Sequence, residues 1–209
     1  MATDTVSTGS QSWAQDHQLA FGSKAPEFEL LDAATGRTWR SGDLDQKDVF
    51  AVYFICNHCP HSLAWEDRLL GIVRDFSDRV SSVFINPSDP ERLLPNGQPA
   101  FPEDAAPQLA VHAREKQFPV PYLTDPDQTV ADLYAAVRTP HAFVFTRNGG
   151  LVYRGTVDDS EEDPNAVTRH FLRDALDAAV AGRPVGVPET PLQGCGIKRK
   201  ADVFPGPRP

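Results

Sequence analysis

One short segment of the sequence brings several chemically reactive side chains together, FICNHCPHS at residues 54–62. Cys56 and Cys59 are separated by two residues, and His58 and His61 lie between and after them. A thiol attacks a disulfide only as the thiolate, so a reactive cysteine needs neighbours that stabilise negative charge. A second cysteine about one helical turn away can then resolve the mixed disulfide. The segment therefore indicates thiol redox chemistry, with metal binding by the same side chains as an alternative.

The residues on either side of this segment predict how it is positioned. Residues 48–55, DVFAVYFI, are continuously apolar, which is typical of a strand buried on both faces. After Pro60, apolar residues recur at helical spacing, which predicts an amphipathic helix. Cys56 would then lie where a central strand meets the N-terminus of a helix. Unpaired backbone N–H groups, the helix dipole and the histidines would together lower the pKa of Cys56.

The rest of the chain alternates between strand and helix patterns. The predicted elements, in chain order, are a hairpin around Thr35-Gly36, the strand 48–55, the helix after Pro60, a strand at 80–86, a proline-rich connection from Pro87 to Pro102, a helix near 104–116, a short extended segment PYLT at 121–124, a helix capped by Asp125-Pro126, a hairpin around RNGG, and a last helix capped by Asp163-Pro164 that ends at Gly182. This order predicts an α/β fold with a mixed sheet covered by helices on both faces.

Length and composition limit the organisation and the partners. The 209 residues suit one domain, and we expect a flexible N-terminal arm at 1–20, the domain at 21–184 and a Pro/Gly-rich tail at 185–209. The net charge of −9 disfavours nucleic acid and anionic membrane surfaces as partners. Neither a secretory signal nor a membrane span is expected, so we predict a cytoplasmic protein, in which three cysteines suit catalysis or metal binding better than a disulfide scaffold.

Several segments together carry a resemblance to a known family. They are GSKAPEFEL, FICNHCP, TPHAFVF, LVYRGTVDD, LRDALDA and PETPLQGCGIKRK. In this order they resemble the thioredoxin-like redoxins related to the AhpC/TSA family, and more narrowly a soluble subgroup with a CNHCP site and a GC-x-IKW-like tail. The resemblance covers roughly residues 21 to 200. It implies a thioredoxin-like fold, with a central mixed sheet flanked by helices and an N-terminal β-hairpin extension.

The resemblance also implies roles for individual residues. Cys56 would be the exposed attacking thiol and Cys59 the resolving thiol. Pro140 would be the cis-proline that faces the two cysteines, and Thr139 would offer its backbone to a substrate chain. Two positions depart from the subgroup: Arg138 replaces a cysteine that members can carry, and the tail reads IKRK where a tryptophan usually follows the lysine. The second departure puts the docking of the tail in question.

Other candidates have a functional and an ordinary interpretation side by side. Cys195 could be a third redox thiol carried by the tail, or a surface or packed thiol, and the latter is the favoured reading. His141 could approach the cysteines or be a surface histidine. The carboxylates Asp158, Asp159 and Glu189 would suit proton transfer with Cys59, but loop carboxylates are usually just solvated, so we assign them no role.

The leading prediction is a thiol:disulfide oxidoreductase that needs no cofactor, acts on a protein or small-molecule disulfide, and depends on a thiol reductant. A peroxidase is the first alternative. It is disfavoured because Val49 and Tyr53 stand where peroxiredoxins carry Pro and Thr before their reactive cysteine. The second alternative is metal binding or delivery by Cys56, His58, Cys59 and His61. It is disfavoured because four ligands within six residues would struggle to enclose an ion and keep the helix start intact.

Overall fold

The computed structural model describes residues 18–44 and 46–199. Its main sheet has seven strands in the order β2-β1-β5-β4-β3-β7-β8, and β6 and β9 form a separate pair. The strands are β1 Glu29–Asp32, β2 Thr38–Arg40, β3 Val49–Phe54, β4 Val80–Asn86, β5 Tyr122–Thr124, β6 Arg138–Thr139, β7 His141–Thr146, β8 Gly150–Gly155 and β9 Cys195–Gly196. The helices are α1 Pro60–Asp75, α2 Ala106–Glu115, α3 Thr129–Leu133 and α4 Phe171–Val180, with short 3-10 helices at Ser41–Leu44, Pro102–Asp104 and Pro164–Ala166.

The sheet is mixed, as the sequence predicts. Strand β3 pairs in parallel with β4 and antiparallel with β7, and β4 pairs in parallel with β5. The predicted hairpins are both present, β1 with β2 and β7 with β8. The predicted α/β, thioredoxin-like fold with an N-terminal hairpin is therefore confirmed.

Strand β3 lies at the centre of the core because both of its faces are covered. All six of its residues are buried. Ala51 and Tyr53 pack in one apolar cluster with side chains of α1, α2 and α4. Phe50, Val52 and Phe54 pack in a second cluster that includes residues of α3. Alternate residues of a strand point to opposite faces, so a continuously apolar strand is what a sheet with helices on both sides requires.

Two predicted helix starts are wrong, and local hydrogen bonds explain both. The Asp125 carboxylate does cap a helix, accepting from Val130 N at 3.3 Å and Ala131 N at 2.8 Å, but α3 begins only at Thr129 because Gln128 adopts a left-handed conformation with φ 61°. The Asp163 side chain accepts from Asn165 N at 2.8 Å and caps the 3-10 helix instead of α4.

The start of α4 is delayed by a second carboxylate. Asp159 accepts hydrogen bonds from the backbone N–H groups of Thr168 at 2.9 Å and Arg169 at 3.0 Å, which holds this segment outside the helix until Phe171. The helix end agrees with the prediction, since Gly182 has φ 65° and Arg183 N donates to Ala178 O at 2.8 Å.

The described part of the tail returns to the domain. Arg154 forms a parallel bridge with Glu189, and Thr190 Oγ1 accepts from Thr156 N at 2.9 Å. The tail then forms β9 against β6. Residues 1–17 of the predicted N-terminal arm and residues 200–209 of the tail lie outside the described ranges. Within the described ranges, no helix has both the length and the apolar character to cross a bilayer.

Candidate active site

The two-cysteine segment lies at the junction that the sequence predicts. The chain leaves β3 at Phe54, and Cys59 is the residue that precedes the first turn of α1, with extended backbone angles (φ −85°, ψ 114°). Pro60 occupies the first helical position, where a missing N–H group removes no helical hydrogen bond. Cys59 Sγ is therefore held beside the unpaired N–H groups and the positive dipole end of a 16-residue helix.

Both thiols meet at Thr139, which the chain places opposite them. Cys56 Sγ lies 3.0 Å from Thr139 Oγ1, and Cys59 Sγ lies 3.2 Å from Thr139 O. The Thr139–Pro140 peptide bond is cis. Cys56, Cys59, Thr139 and Pro140 are thus brought together as the resemblance implies, and all three cysteines of the chain are free thiols.

The expectation that Cys56 is exposed is wrong. Cys56 is 3% exposed and Cys59 is 0% exposed. A small cavity adjoins Cys56, and its lining shows what covers the sulfur: His58, Phe101, Thr139, residues 87–89 of the proline-rich connection, and residues 196–198 of the tail. Segments far apart in sequence close over the motif, which is why the local sequence pattern does not predict this burial.

A histidine and a carboxylate extend the site from Cys56. His58 Nε2 lies 3.9 Å from Cys56 Sγ, and His58 Nδ1 is hydrogen-bonded to Asp104 Oδ2. The ring of His58 also stacks on Phe101, with 4.0 Å between the centroids. With its Nδ1–H donated to Asp104, the imidazole presents Nε2 as a base toward the thiol. The arrangement is a thiol, a base and a group that orients the base.

Asp104 is a site residue that the sequence analysis missed. It is 3% exposed and lies in the 3-10 helix that follows the proline-rich connection. Its carboxylate also accepts from Asn57 N at 2.7 Å and Asn86 Nδ2 at 3.0 Å. Burial raises the pKa of Asp104, but hydrogen bonds from His58 and Asn86 outweigh it and the pKa lies below the ordinary value. Asp104 is 46 residues from His58, so no local signal in the sequence marks it.

The two thiols of the motif have opposite ionisation preferences. Burial, a hydrogen bond to Cys59 and the charge of Asp104 raise the pKa of Cys56 well above its ordinary value. A hydrogen bond from Cys56 lowers the pKa of Cys59 to about 4 against the opposing effect of burial, with help from Cys195 and from Ser62 N–H. The prediction that Cys56 carries the lowered pKa is therefore wrong for this closed arrangement. The surroundings favour the thiolate of Cys59 over that of Cys56.

One contact opposes the ionisation of Cys59. The Thr139 carbonyl oxygen, 3.2 Å from Cys59 Sγ, can accept a hydrogen bond only from the protonated thiol. Against this single acceptor stand four donors, namely the thiols of Cys56 and Cys195 and the backbone N–H groups of Ser62 and Cys195. Several hydrogen bonds to a thiolate favour the charged form, so the donors decide the direction.

Cys195 lies within the site and not apart from it. It is partly exposed, its Cα is paired with that of Thr139 across β6 and β9, and its thiol and backbone N–H both help to lower the pKa of Cys59. Two arginines stand at the positions that depart from the predicted subgroup pattern, Arg138 and Arg199. Both form polar contacts between the tail and the rest of the domain. Arg138 donates to Gly194 O at 2.6 Å, and Arg199 pairs with Asp132 at 2.9 Å.

Comparison with known proteins decides the family. Residues 21–154 match the AhpC/TSA family. The chain belongs to the AhpC/TSA family. No curated protein sequence matches it.

Solved structures extend the comparison beyond the family match. An uncharacterized conserved protein from Geobacillus kaustophilus is 36% identical, with a TM-score of 0.78 over 87% of this chain and 93% of that one. A hypothetical protein from Sinorhizobium meliloti is 31% identical, with a TM-score of 0.79 over 88% and 97%. A peroxidoxin from Mycobacterium tuberculosis, 20% identical over 78% and 96%, shares the fold with a TM-score of 0.53. The narrower CNHCP subgroup stays a prediction.

The remaining candidates of this AhpC/TSA protein contact residues other than Cys56 and Cys59. His141 is 4% exposed, so it is not a surface histidine, and it stacks on Phe143 with 4.2 Å between the centroids. It lines a small cavity with Arg154 and Glu189. Burial, and then the charge of Arg154, lower the pKa of His141 to about 3, so its ring is neutral.

The loop carboxylates have structural partners. Asp158 is buried and receives hydrogen bonds from Trp65 Nε1 at 2.8 Å and from Arg68 Nη1 at 2.7 Å. Glu189 pairs with Arg154 at 2.9 Å. The hydrogen bonds and ion pairs of these carboxylates anchor loops and the tail, and within the described ranges their partners are residues other than Cys59.

The side chains that lie close enough to bind one metal ion differ from the four that the sequence suggests. Among the described residues, the one group of three or more His, Cys, Asp or Glu side chains with ligand atoms all within 4.8 Å of one another consists of Cys56, His58 and Asp104. Cys59 and His61 are not in this group, and His61 Nδ1 faces Glu161 Oε1 at 2.5 Å. Asp104 already accepts hydrogen bonds from three neighbours, so its carboxylate serves the protein's own structure.

Proposed function

We propose that this AhpC/TSA protein is a thiol:disulfide oxidoreductase in which Cys56 attacks the substrate and Cys59 resolves the intermediate. The observation that carries the proposal is the pair of free thiols at a helix N-terminus, both in contact with Thr139, with a histidine beside Cys56 and surroundings that favour the thiolate of Cys59. Cys59 is stabilised as a thiolate by four donors. Cys56 has a base, His58 Nε2, at 3.9 Å.

The first half-reaction begins with a proton transfer. His58 accepts the proton of Cys56 while Asp104 holds its other nitrogen and stabilises the imidazolium. The Cys56 thiolate then attacks one sulfur of the substrate disulfide. A bond forms between Cys56 Sγ and that sulfur, the substrate S–S bond breaks, and the departing thiolate takes a proton from His58.

In the second half-reaction Cys59 closes the internal disulfide. The Cys59 thiolate attacks Cys56 Sγ, the Cys56–Cys59 bond forms, and the second substrate thiolate leaves and is protonated by water. Two electrons have passed from the two cysteines to the substrate. An external thiol reductant restores the starting state, and the cytoplasm, where such reductants are maintained, is the compartment that suits the proposal.

Peroxide reduction is the second candidate, and the burial of Cys56 is the observation that favours it. A covered sulfur with a hydroxyl group 3.0 Å away suits a small oxidant better than a protein disulfide. Cys56 would attack the peroxide to give a sulfenic acid and an alcohol or water. Cys59 would then form the disulfide and release water. Against this candidate, Val49 and Tyr53 occupy buried positions of β3 and bring no threonine hydroxyl from that side.

A side-by-side assay tests the proposal. Wild type, Cys56→Ser and Cys59→Ser are assayed for reduction of insulin disulfides and of hydrogen peroxide with the same reductant. We expect Cys56→Ser to be inactive and Cys59→Ser to accumulate a mixed disulfide at Cys56 that mass spectrometry detects. Reduction of peroxide without reduction of disulfide would replace the first candidate by the second, and full activity of Cys56→Ser would overturn both.

The role of the base is tested with a matched pair of histidine variants. His58→Gln removes the proton acceptor, and we expect about a 100-fold lower rate near neutral pH that recovers as the pH rises and hydroxide deprotonates Cys56 directly. His170→Gln changes an exposed histidine outside the site and serves as the control. An unchanged pH profile in His58→Gln would remove His58 from the mechanism.

A further inference from the structure

The tail segment around Cys195 is fixed in register on both sides. Strand β9 pairs antiparallel with β6, with Arg138 opposite Gly196 and Thr139 opposite Cys195. Before Cys195, Arg138 Nη1 donates to Gly194 O at 2.6 Å. After it, Ile197 N donates to Val137 O at 2.9 Å. The position of the third cysteine is therefore set by backbone pairing and does not depend on the thiol.

Gly194 permits the close approach of the tail to Thr139. A Cβ atom at this position would lie 2.3 Å from Thr139 O and 2.9 Å from Thr139 C, closer than packed atoms tolerate. Its φ of 148° is also one that residues with a side chain rarely adopt. Only glycine lets the tail press against the residue that both thiols of the motif already touch.

The three cysteines meet at Thr139. Cys56 Sγ and Cys59 Sγ contact the hydroxyl and the carbonyl oxygen of Thr139, and Cys195 is the residue paired with Thr139 across β6 and β9. The thiols of Cys56 and Cys195 also both favour the thiolate of Cys59. Thiols that the backbone holds around one residue need little movement to form a bond, and any reaction at Cys59 has two thiols as possible partners.

We propose that Cys195 is a third redox thiol that exchanges with the internal disulfide and forms a Cys59–Cys195 bond. The inference rests on the proposed function, since the Cys56–Cys59 disulfide is its starting point. Cys195 gives its proton to water and attacks Cys59 Sγ. The Cys59–Cys195 bond forms, the Cys56–Cys59 bond breaks, and Cys56 leaves as a thiolate that is protonated by water. No electrons enter or leave, so the step needs no further oxidant.

The exchange has a consequence for the substrate site. It returns Cys56 to the thiol state while the two oxidising equivalents are kept between Cys59 and the tail. It also ties β9 covalently to the start of α1, which holds residues 196–198 over the cavity beside Cys56. The reductant that restores the enzyme would then attack the partly exposed Cys195 and not the buried Cys56.

The positions of lysine and arginine make the two disulfides easy to distinguish. Trypsin leaves Cys56 and Cys59 on one peptide, residues 48–68, and Cys195 on another, residues 174–198, because cleavage before Pro184 is blocked. A Cys56–Cys59 bond stays within the first peptide. A Cys59–Cys195 bond links the two peptides and is detected by mass spectrometry of the alkylated, non-reduced digest.

The test compares wild type, oxidised by a limiting amount of oxidised glutathione, with variants. We expect the linked peptides in wild type and none in Cys59→Ser or Cys195→Ser. In Cys56→Ser, diamide accepts two electrons and two protons from the remaining pair, and the linked peptides should be the main product. Two results together would overturn the inference. They are wild type that contains only the Cys56–Cys59 bond, and Cys56→Ser in which Cys59 and Cys195 are both alkylated.

A glycine variant separates the docking of the tail from the presence of its thiol. Gly194→Ala keeps all three cysteines but displaces the tail, so the linked peptides should form at a rate about tenfold lower than in wild type. A tethered but undocked thiol meets Cys59 only at its effective concentration. Gln193→Ala, at an exposed neighbouring position, is the control. Equal rates in both variants would count against the docked geometry as the cause.

The same samples distinguish the inference from the proposed function. If wild type reduces insulin disulfides but never gives the linked peptides, the inference fails and the function stands. If Cys56→Ser gives the linked peptides but wild type reduces no disulfide, the proposed function fails although the contact between Cys59 and Cys195 is real.

Discussion

Cys56 and Cys59 are three residues apart, yet the surroundings of Cys59 favour the thiolate whereas those of Cys56 favour the neutral thiol. Cys59 faces donors from Ser62, Cys56 and Cys195, whereas Cys56 faces the carboxylate of Asp104 at the far side of His58. These surroundings favour a thiolate at Cys59 and a neutral thiol at Cys56. Under the proposed function, the attacking residue Cys56 would therefore depend on His58 as a base.

The location of the thiolate is open to direct measurement. Because the pKa of Cys59 is lowered to about 4, the reduced protein should carry one thiolate at pH 6, and its ultraviolet thiolate absorbance at that pH should be absent in Cys59→Ser. Cys56→Ser removes a donor and should shift the titration upward without abolishing it. An absorbance that rises only near the ordinary pKa of cysteine would show that the Thr139 carbonyl keeps Cys59 protonated.

At the scale of single residues, the sequence identifies site residues that belong to a short motif or to a pattern shared with a known family. Cys56 and Cys59 stand out because a CxxC after a buried strand can be recognised locally, whereas Thr139 and Pro140 are indicated only by the family resemblance, and the structure places Thr139 against both thiols. Asp104 is missed because its contact with His58 spans 46 residues. The burial of Cys56 is missed for the same reason, since its cover comes from the connection before α2 and from the tail.

At the scale of elements, periodicity predicts the order of strands and helices well, whereas caps predict helix starts poorly. Asp125 and Asp163 both accept backbone hydrogen bonds as capping residues do, but a left-handed Gln128 and the hydrogen bonds of Asp159 delay the two helices. An Asp-Pro pair identifies a capped turn. It does not say whether the turn continues into an α-helix.

Arg199 adds side-chain contacts to the backbone pairing that holds the tail. It stands where the predicted subgroup pattern has a tryptophan. Its side chain is 10% exposed, pairs with Asp132 at 2.9 Å, and donates to Ala136 O at 2.5 Å. Removing one partner of a buried ion pair leaves the other charge buried and uncompensated. Loss of Arg199 should therefore destabilise the docked tail by more than the net contribution of the intact ion pair.

Removing the arginine should therefore loosen the tail. In Arg199→Ala, we expect the tail to open at a cost lower by about 1–2 kcal/mol, so that iodoacetamide alkylates Cys195 and the covered Cys56 about tenfold faster. Arg183→Ala changes an exposed arginine just beyond α4 and provides the comparison. Unchanged alkylation in Arg199→Ala, with Arg183→Ala matching wild type, would mean that β9 pairing alone keeps the site closed.

At the scale of the whole molecule, the two faces of the sheet serve different purposes. The face covered by α1, α2 and α4 positions the two-cysteine motif through the apolar contacts of α1. The other face carries the aromatic cluster of Phe54, Tyr134 and Phe143, beside which His141 is buried with a neutral ring. A titratable group in such a place contributes to the pH dependence of folding.

The sign of that contribution follows from the pKa of His141. In the unfolded chain its imidazole takes a proton near the ordinary value of 6.5, whereas in the folded protein it does so only near 3. The unfolded state therefore binds more protons between these two values, and stability falls as the pH decreases through this window. Between pH 7 and pH 5 the loss amounts to about 2 kcal/mol.

His141→Gln should remove this part of the pH dependence. Urea unfolding of wild type and variant at pH 7 and pH 5 gives four free energies, and the drop between the two pH values should be about 2 kcal/mol smaller in the variant. The buried carboxylates Asp125 and Asp132 titrate in both proteins, so their contributions cancel in the comparison. His170→Gln, at an exposed position, should keep the wild-type drop. A drop of equal size in His141→Gln would show that the ring is reached by water or protonated within the fold, and the neutral, buried His141 described above would then be wrong.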